Sequence, residues 1–491
     1  MVSEGSSLYW QAWAGSGIAY ITYGWDAGVL GGILLTKAFQ EAMHMPSITT
    51  LSIITSIFIL GSWLGALVTA TFGMIYGRRT WILLGNSLEI IGALISVTSY
   101  GPGQLVAGRI IVGFGNGFVT SMVPIYVAEM AVQIRDRGRG VFMLGAILSL
   151  GAASAYWVDF GMVFAHGQVV WRFPVAFQIV ISLLSTVILY PLPDTPRWYY
   201  ARKKDEDGDK VLRRLCVKVK EIESYEKTKT AILASLELEK EKGERLRIKD
   251  IFWDTSATQS TRRLRTGLIL LAITQSQGGS FIFYYAATVF EKYLALPSLT
   301  SSGLSGALTT AITISAWITI PFIEKVGRRK WLITGACLQS ISLAIVMGLT
   351  SHPSHNASAA AAAFMFVFVI VLGATWAPFA IVYVSELMPL RFRHTGFCLS
   401  TSVSLLFSWL LVFAAPISYT RGGSHGWTTW IWFLVFNVIA APYVYFFCPE
   451  TQGKTLEEID LIFVSQKLRE SDAGQKLVES TGTTSDTAEK P

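Results

Sequence analysis

The stretch Gly77-Arg78-Arg79 occurs again as Gly327-Arg328-Arg329, and each copy is a short polar break between long apolar segments. A second pair shows the same repetition: Tyr126-Val127-Ala128-Glu129 is followed about 250 residues later by Tyr383-Val384-Ser385-Glu386. The first pair has nearly the same spacing as the second. Repetition of the polar breaks at one period predicts a chain made of two similar hydrophobic halves.

The composition places most of the chain in lipid. Of its 491 residues, 52% are hydrophobic and 15% are charged, whereas soluble domains carry about 25% charged residues. The net charge of +7 gives no reason to expect nucleic-acid binding, because the basic residues lie in the breaks between apolar runs, where they act as topology signals. The four cysteines show neither disulfide nor metal-ligand spacing, so no metal site is predicted.

Twelve stretches are long and apolar enough to cross a bilayer, which takes about 20 residues. They are residues 11–35, 48–74, 81–99, 104–126, 141–160, 173–191, 266–289, 303–323, 331–350, 363–384, 396–415 and 427–447. We therefore predict an all-α membrane protein with twelve transmembrane helices in two pseudo-symmetric six-helix bundles. Secondary transporters are built from such repeated halves.

The breaks between these stretches predict the domain organisation. The expected parts are a short cytosolic N-terminus (1–10), a first bundle (11–191), a charged cytosolic loop (192–265), a second bundle (266–447) and a cytosolic tail (448–491). The loop is interpreted either as amphipathic helices at the membrane surface or as a solvated linker. The tail has no hydrophobic pattern and is expected to be largely disordered.

Basic residues fix the expected orientation. They concentrate in alternate breaks, which the positive-inside rule assigns to the cytosol together with both termini. The sequon Asn356-Ala357-Ser358 falls in a break on the opposite side and makes Asn356 a candidate glycosylation site. The sequence shows no retention or vacuolar signal, so we expect the plasma membrane. We also expect a monomer.

Four motifs make the chain resemble the sugar porter family of the major facilitator superfamily, in its fungal form. Residues 24–32 (Gly-Trp-Asp-Ala-Gly-Val-Leu-Gly-Gly) resemble the first-helix motif, and residues 124–129, with Arg137-Gly138-Arg139, resemble the end of the fourth helix. Residues 193–198 (Pro-Asp-Thr-Pro-Arg-Trp) and 449–458 (Pro-Glu-Thr-Gln-Gly-Lys-Thr-Leu-Glu-Glu) resemble the signatures after the sixth and twelfth helices. The resemblance implies the family's twelve-helix fold and transport by alternating access.

The resemblance also implies a cytosolic gate made of arginine–glutamate pairs. Its members are expected to be Arg78, Arg79, Glu129, Arg137, Glu324, Arg328, Arg329, Glu386, Arg391 and Arg393. The alternative is that these arginines only anchor helix ends at lipid headgroups. We call the arginine–glutamate pairing in each half its clamp. In the first half, Met74 stands where the family usually carries an Asp, so that clamp is expected to be less complete.

Asp26, Glu89 and Arg109 are charged residues inside predicted spans. Placing each of these charges inside the membrane costs at least ~2.5–3.5 kcal/mol. An Asp beside an Arg stays a carboxylate and takes up a proton when the Arg leaves. In proton-coupled sugar porters such a pair is the coupling element, and the resemblance places it at Asp26 and Arg109. The alternative is a structural ion pair in a passive facilitator. Glu89 is interpreted either as a second protonatable site or as an acid hydrogen-bonded to a neighbouring helix.

The expected substrate pocket has lost most of the amides that sugar porters use. Gly145, Ile312, Ile381, Leu405 and Ser408 stand where the family carries amide or tryptophan side chains, and only Gln275 remains. Each unmade hydrogen bond to a hexose costs ~1–3 kcal/mol, so tight hexose binding is not expected. The candidate substrate-binding residues are Thr274, Gln275, Ser280, Tyr284, Asn116, Trp376, Ser404 and Ser408.

These features together predict a secondary active transporter, coupled to protons, for a sugar-like or other small organic solute. It would work in the lipid bilayer by alternating access, with the proton gradient as driving force and no cofactor. One alternative is an exporter of a less polar metabolite on the same scaffold. Another is a non-transporting nutrient sensor. An enzyme is not expected, since the sequence shows no catalytic triad, phosphate loop or metal cluster.

Overall fold

The computed structural model describes residues 5–131, 134–216, 225–226, 228–230, 232–233, 259–322, 326–352, 354–388, 393–421, 427–452 and 463. Within these residues the regular structure is helical. The helices are α1 (Ser6–Ile33), α2 (Lys37–Ala42), α3 (Ile48–Phe72), α4 (Arg78–Val97), α5 (Pro102–Met130), α6 (Ile134–Met162), α7 (Val169–Leu189), α8 (Pro196–Ala201), α9 (Asp205–Cys216), α10 (Ser260–Ser276), α11 (Gly279–Thr288), α12 (Ser298–Thr319), α13 (Arg328–Ser351), α14 (His355–Ala374), α15 (Trp376–Leu387), α16 (Arg393–Arg421) and α17 (Thr428–Phe447). A π-helical turn, Val289–Tyr293, follows α11, and a 3-10 turn, Ile320–Phe322, follows α12.

The predicted spans all fall on these helices. In the described part of the chain, ten helices are long and apolar enough to cross a membrane. The two remaining spans are α1 and the seventh, α10–α11. Helix α1 has 28 residues, but Asp26 and several Gly, Tyr and Trp residues dilute its apolar character. The seventh span is broken, because α10 ends at Ser276 and α11 begins at Gly279.

The break in the seventh span is built around Gly278, which has φ 104°. This left-handed backbone suits glycine, which carries no Cβ. A side chain there would also meet the ring of Phe433. The Asn437 amide donates to the Gln277 carbonyl at 3.0 Å. This bond satisfies a backbone group that the break frees, as an interruption inside a membrane protein requires.

The glycines of the first-helix motif form the surface on which α6 lies. A Cβ at Gly24 would overlap the Leu148 carbonyl, and one at Gly31 would overlap the Tyr156 hydroxyl. A Cβ at Gly28 would lie 2.8 Å from the Ala152 carbonyl oxygen. Small residues of this kind let two helix backbones approach closely in a membrane. The motif is thus explained by the packing of α1 against α6.

The helices form two pseudo-symmetric bundles that pack against each other. Helices α3 and α4 both pack on α5 in the first half, and α14 and α17 both pack on α13 in the second. Between the halves, α3 packs against α16, α6 against α12, and α1 against α11. We call the end of the bundles that carries Arg78 and Arg328 the arginine end, and the opposite one the far end.

Candidate functional site

Asp26 and Arg109 form a buried ion pair in the first half. Arg109 Nη1 donates to Asp26 Oδ1 at 2.9 Å, and Arg109 Nη2 lies 3.4 Å from the Asp26 carbonyl oxygen. The exposed fraction is 0% for the Asp26 side chain and 1% for that of Arg109. The guanidinium also lies over the ring of Phe58, 4.8 Å from its centroid. The two residues that the sequence analysis paired are therefore in direct contact.

Glu89 lies close to this pair. Ser182 Oγ on α7 donates to Glu89 Oε2 at 2.9 Å, and the Glu89 and Asp26 carboxyl groups interact electrostatically. Within the described residues, Glu89 Oε1, Asp26 Oδ2 and Arg109 Nε are buried without a hydrogen-bonding partner. The cluster thus holds two acids, one guanidinium and unused hydrogen-bonding capacity.

The clamp of the first half joins α4, α5 and the segment after α7. Arg78 Nε lies 3.1 Å from Glu129 Oε2, and Thr195 Oγ1 donates to the same oxygen at 2.7 Å. Arg197 Nε lies 4.0 Å from Glu129 Oε1. The thioether of Met74 is 3.3 Å from Arg78 Nη2. The Arg78–Glu129 pair therefore forms although Met74 occupies the position of the usual Asp.

The clamp of the second half repeats this arrangement. Arg328 Nη2 lies 3.2 Å from Glu386 Oε1, and Thr451 Oγ1 donates to Glu386 Oε2 at 2.8 Å. Glu450 accepts from the backbone N–H groups of Arg328 and Arg329. The two halves thus use the same arginine–glutamate–threonine unit at the arginine end.

The remaining gate candidates are placed differently. Arg79 donates to the carbonyl oxygens of Tyr190 and Leu192, and Arg329 donates to that of Tyr445. Through these bonds both arginines hold helix ends rather than carboxylate side chains. Glu324 and Arg391, and the side chains of Arg137 and Arg393, lie outside the described residues.

Polarity and spacing alone assign no role to the threonine and acid of the two signatures. Thr195 and Thr451 each bond a clamp glutamate, and Asp194 accepts from the backbone N–H of Thr195 at 3.1 Å. Burial raises the pKa of the Asp194 carboxyl, while the backbone N–H of Thr195 and the charge of Arg78 oppose that rise. The repeat of Pro-Asp-Thr (193–195) as Pro-Glu-Thr (449–451) was the signal that could have revealed these roles.

A cavity of about 150 Å³ lies between the two halves. Its wall includes the positions at which the sequence analysis expected lost amides. These are Gly145, Ile312, Ile381 and Leu405. The candidate residues Thr274, Gln275, Ser280 and Ser404 also line it. The structure thus brings together candidates that are far apart in the chain and come from both halves.

Polar side chains at the cavity form one hydrogen-bonded chain. Gln275 Nε2 donates to Ser404 Oγ at 2.9 Å, and Ser280 donates to Gln275 Oε1. Ser408, which lies behind the wall, donates in turn from its Oγ to Ser280 Oγ at 3.1 Å. Gln275 is therefore held in a fixed position from which its amide reaches the cavity.

Three further candidate substrate-binding residues lie away from the cavity wall in this structure. The Trp376 indole N–H donates to the Leu332 carbonyl at 2.9 Å and is fully buried. Asn116 is buried within α5. Tyr284 is buried on α11 and interacts electrostatically with Tyr23, Arg109 and Asp26. Tyr284 thus lies on the ion-pair side of the wall.

The two halves touch on both sides of the cavity. Towards the far end, Tyr156 OH donates to the Phe283 carbonyl at 3.0 Å, and the Trp157 indole donates to Thr310 at 2.9 Å. Towards the arginine end, Cys398 on α16 packs against Thr69 on α3 and is fully buried. Asn356 is exposed near the start of α14 at the far end.

Comparison with known proteins identifies the family to which the chain is related. The profile of the family described as "Sugar (and other) transporter" matches residues 17–463. Sugar transporter STL1 of Saccharomyces cerevisiae is 28% identical, over 90% of this chain and 79% of that protein. Major facilitator superfamily transporter mfsA of Aspergillus fumigatus is 29% identical, over 91% of this chain and 84% of that protein.

A solved structure shows the same fold. The proton:xylose symporter XylE bound to 6-bromo-6-deoxy-D-glucose superimposes with a TM-score of 0.81 at 20% identity. The match covers 94% of this chain and 100% of the XylE chain. The chain therefore belongs to the sugar (and other) transporter family: it is a multi-pass secondary transporter with the major facilitator fold, and not an enzyme.

Proposed function

We propose that the protein is a proton-coupled carrier of a sugar or polyol no larger than a hexose. The observation that carries this proposal is the buried ion pair of Asp26 and Arg109, whose atoms are 2.9 Å apart with at most 1% exposure. A charge in this position needs a functional reason or a partner. Each of these two charges has the opposite charge beside it, and a small movement of the helices can separate them.

The pair gives a physical route to coupling. While Arg109 contacts Asp26, the carboxylate is stabilised; when the guanidinium moves away, the isolated carboxylate becomes costly and takes up a proton. A movement of the halves that separates α1 from α5 would therefore bind a proton. The reverse movement would release it, and a cofactor is not needed.

The cavity supports a small polar solute. Its volume of about 150 Å³ lies below the ~300–1,000 Å³ of drug-sized ligand pockets. Gln275 and the serines bonded to it offer donors and acceptors for hydroxyl groups. The relatives also include Hexose transporter HXT9 of Saccharomyces cerevisiae, 27% identical. These observations favour a sugar-type solute over the less polar metabolite considered as the alternative.

We further propose the boundaries and placement that the sequence predicted. The bundles would comprise residues 11–191 and 266–447, with the segments 1–10, 192–265 and 448–491 in the cytosol. The arginine end would then face the cytosol, and the two clamps would be its gate. The protein would reside as a monomer in the plasma membrane.

Uptake measurements in yeast cells lacking their own sugar carriers test the proposal. The panel is labelled D-glucose, D-xylose, sorbitol and glycerol, each assayed with and without a protonophore. We expect at least one solute to accumulate above its external concentration, and the protonophore to abolish accumulation. Accumulation of none of the four, or accumulation that survives collapse of the proton gradient, would refute the proposal.

A further inference from the structure

We propose that Glu89 is a second proton-carrying group of the transport site and that it shares one proton with Asp26. The inference rests on the proposed proton coupling and deepens it. The family resemblance supplied the Asp26–Arg109 pair but offered no counterpart for Glu89. The support comes from where Glu89 lies and from the charges that face it.

Glu89 lies at the depth of the ion pair. Eight residues separate it from Val97, where α4 ends at the far end, which is about 12 Å at 1.5 Å per residue. Asp26 and Arg109 are each about 10 Å from the far ends of α1 and α5. The Glu89 side chain is 1% exposed. All three charged groups thus share one buried layer.

The groups that face Glu89 include one positive charge. Helix α1 contributes Asp26, whose carboxyl group interacts electrostatically with that of Glu89, and the ion pair joins Asp26 to Arg109 on α5. Helix α7 contributes hydroxyl groups at this level, Ser182 to Glu89 and Ser185 to Asn86. One guanidinium neutralises one carboxylate, and a second unpaired carboxylate in this dry layer is costly. The layer is electrically neutral only when the two acids hold one proton between them.

The hydrogen bonds leave room for the proton to change places. A hydroxyl can donate or accept, so the 2.9 Å contact of Ser182 suits a carboxylate or a carboxylic acid at Glu89. In the state of this structure, Arg109 pairs with Asp26, and Glu89 carries the proton. In the other state, the O–H bond of Glu89 breaks, the proton bonds to Asp26, and Arg109 turns to the Glu89 carboxylate. Among the residues that the structure describes, Glu89 Oε1 and Arg109 Nε have no hydrogen-bonding partner, so both are available for that second pairing.

The repeat shows that this acid is specific to the half with the ion pair. Glu89 follows Arg78 by eleven residues, and the residue that follows Arg328 by eleven is Gln339. Gln339 is also fully buried. Arg109 precedes Glu129 by twenty residues, and the residue that precedes Glu386 by twenty is Phe366. The second half therefore keeps a polar side chain at the position but has neither the acid nor the arginine.

Infrared difference spectroscopy of the purified protein in lipid tests the shared proton without any substrate. At neutral pH we expect a protonated-carboxyl C=O band that is absent from Glu89→Gln. The same band should vanish in Asp26→Asn, because Arg109 is then free to pair with an ionised Glu89. The control Gln339→Ala should keep the band. A band that is unchanged in Glu89→Gln, or that persists in Asp26→Asn, would overturn the proposal.

Two further measurements separate the possible failures. If Glu89→Gln does not fold, Ser182→Ala is used instead. The carboxyl band of this variant should shift to higher wavenumber, because the Glu89 carboxyl loses a hydrogen bond. An unshifted band would count against the assignment to Glu89.

In the uptake panel, Glu89→Gln should lower accumulation at least ten-fold while counterflow persists. Full accumulation by this variant would show that Glu89 carries no transported proton. If the wild type accumulates nothing while the band behaves as expected, the proposed function fails and the shared proton stands.

Discussion

Asp26 and Arg109 each lie seven residues from the far end of their helix, and their side chains meet at 2.9 Å. The sequence alone placed them at unequal depths, because the predicted spans ended at residue 35 and began at residue 104. In the structure, α1 ends at Ile33 and α5 begins at Pro102. With these bounds the two residues fall at one level.

Replacing Asp26 by Asn should uncouple transport from protons. The amide keeps the size of the side chain and removes both the charge and the protonatable group. We expect loss of accumulation against a gradient, with exchange or passive flux still measurable. Counterflow of the transported panel solute gives the internal control for folding. Concentrative uptake by Asp26→Asn at an unchanged pH optimum would mean that the pair is only structural.

The clamp of the first half should keep Cys398 out of reach of solvent. In a background with the other three cysteines replaced by serine, Arg78→Ala removes one partner of Glu129 and the charge that lies near Cys398. We expect N-ethylmaleimide to label Cys398 roughly ten-fold faster, as a 1.4 kcal/mol loss in stability of the closed arginine end would give.

The matched control for this experiment is Arg172→Ala. Arg172 bonds the Ser99 carbonyl at the far end, so its loss should leave the labelling rate of Cys398 unchanged. Equal labelling of the wild type and Arg78→Ala would contradict a gating role for the clamp. It would favour the alternative in which the arginine only anchors a helix end.

Gln275 should determine the affinity for the solute. Gln275→Ala removes the amide that Ser280 and Ser404 hold in place, and an unmade hydrogen bond costs ~1–3 kcal/mol. We expect KM to rise roughly ten-fold or more for the transported solute, with low hexose affinity already in the wild type. Ser340→Ala is the control, since that hydroxyl bonds its own helix at Ala336. Micromolar glucose binding that Gln275→Ala abolishes would show that the pocket suits hexoses after all.

Sequence reasoning found the features that follow from polarity and repetition. The spans could be predicted because each half repeats its polar breaks. The clamp pairs and the Asp26–Arg109 contact were what the family resemblance implied, in keeping with the need of a charge in lipid for a partner. Features that depend on packing were not legible. The break at Gly278, the burial of the Trp376 indole against Leu332, and the bonds of Thr195 and Thr451 require the positions of neighbouring helices.

Packing of α1 on α6 should depend on the glycines of the first-helix motif. A side chain at Gly24 would overlap the Leu148 carbonyl, whereas a Cβ added at Gly103 would have nothing within 4 Å. Gly24→Leu should therefore lower the yield of monodisperse protein and its thermal stability, and Gly103→Ala should change neither. Fluorescence-detected size-exclusion chromatography measures both variants. A normal profile for Gly24→Leu would contradict the close approach of these helices.

Glycosylation at Asn356 should report the orientation of the chain. Asn356 is exposed near the first residue of α14, at the end opposite Arg78 and Arg328. If the arginine end faces the cytosol, as the positive-inside rule predicts, Asn356 faces the compartment in which glycans are attached. We expect glycosidase treatment to increase the gel mobility of the wild type and not that of Asn356→Gln.

Tags separate the topology of the chain from use of the sequon. In intact cells, a tag inserted at residue 2 should be inaccessible from outside, and a tag inserted at residue 420 should be accessible. Surface labelling at residue 2 would overturn the orientation, and with it the assignment of the clamps to a cytosolic gate.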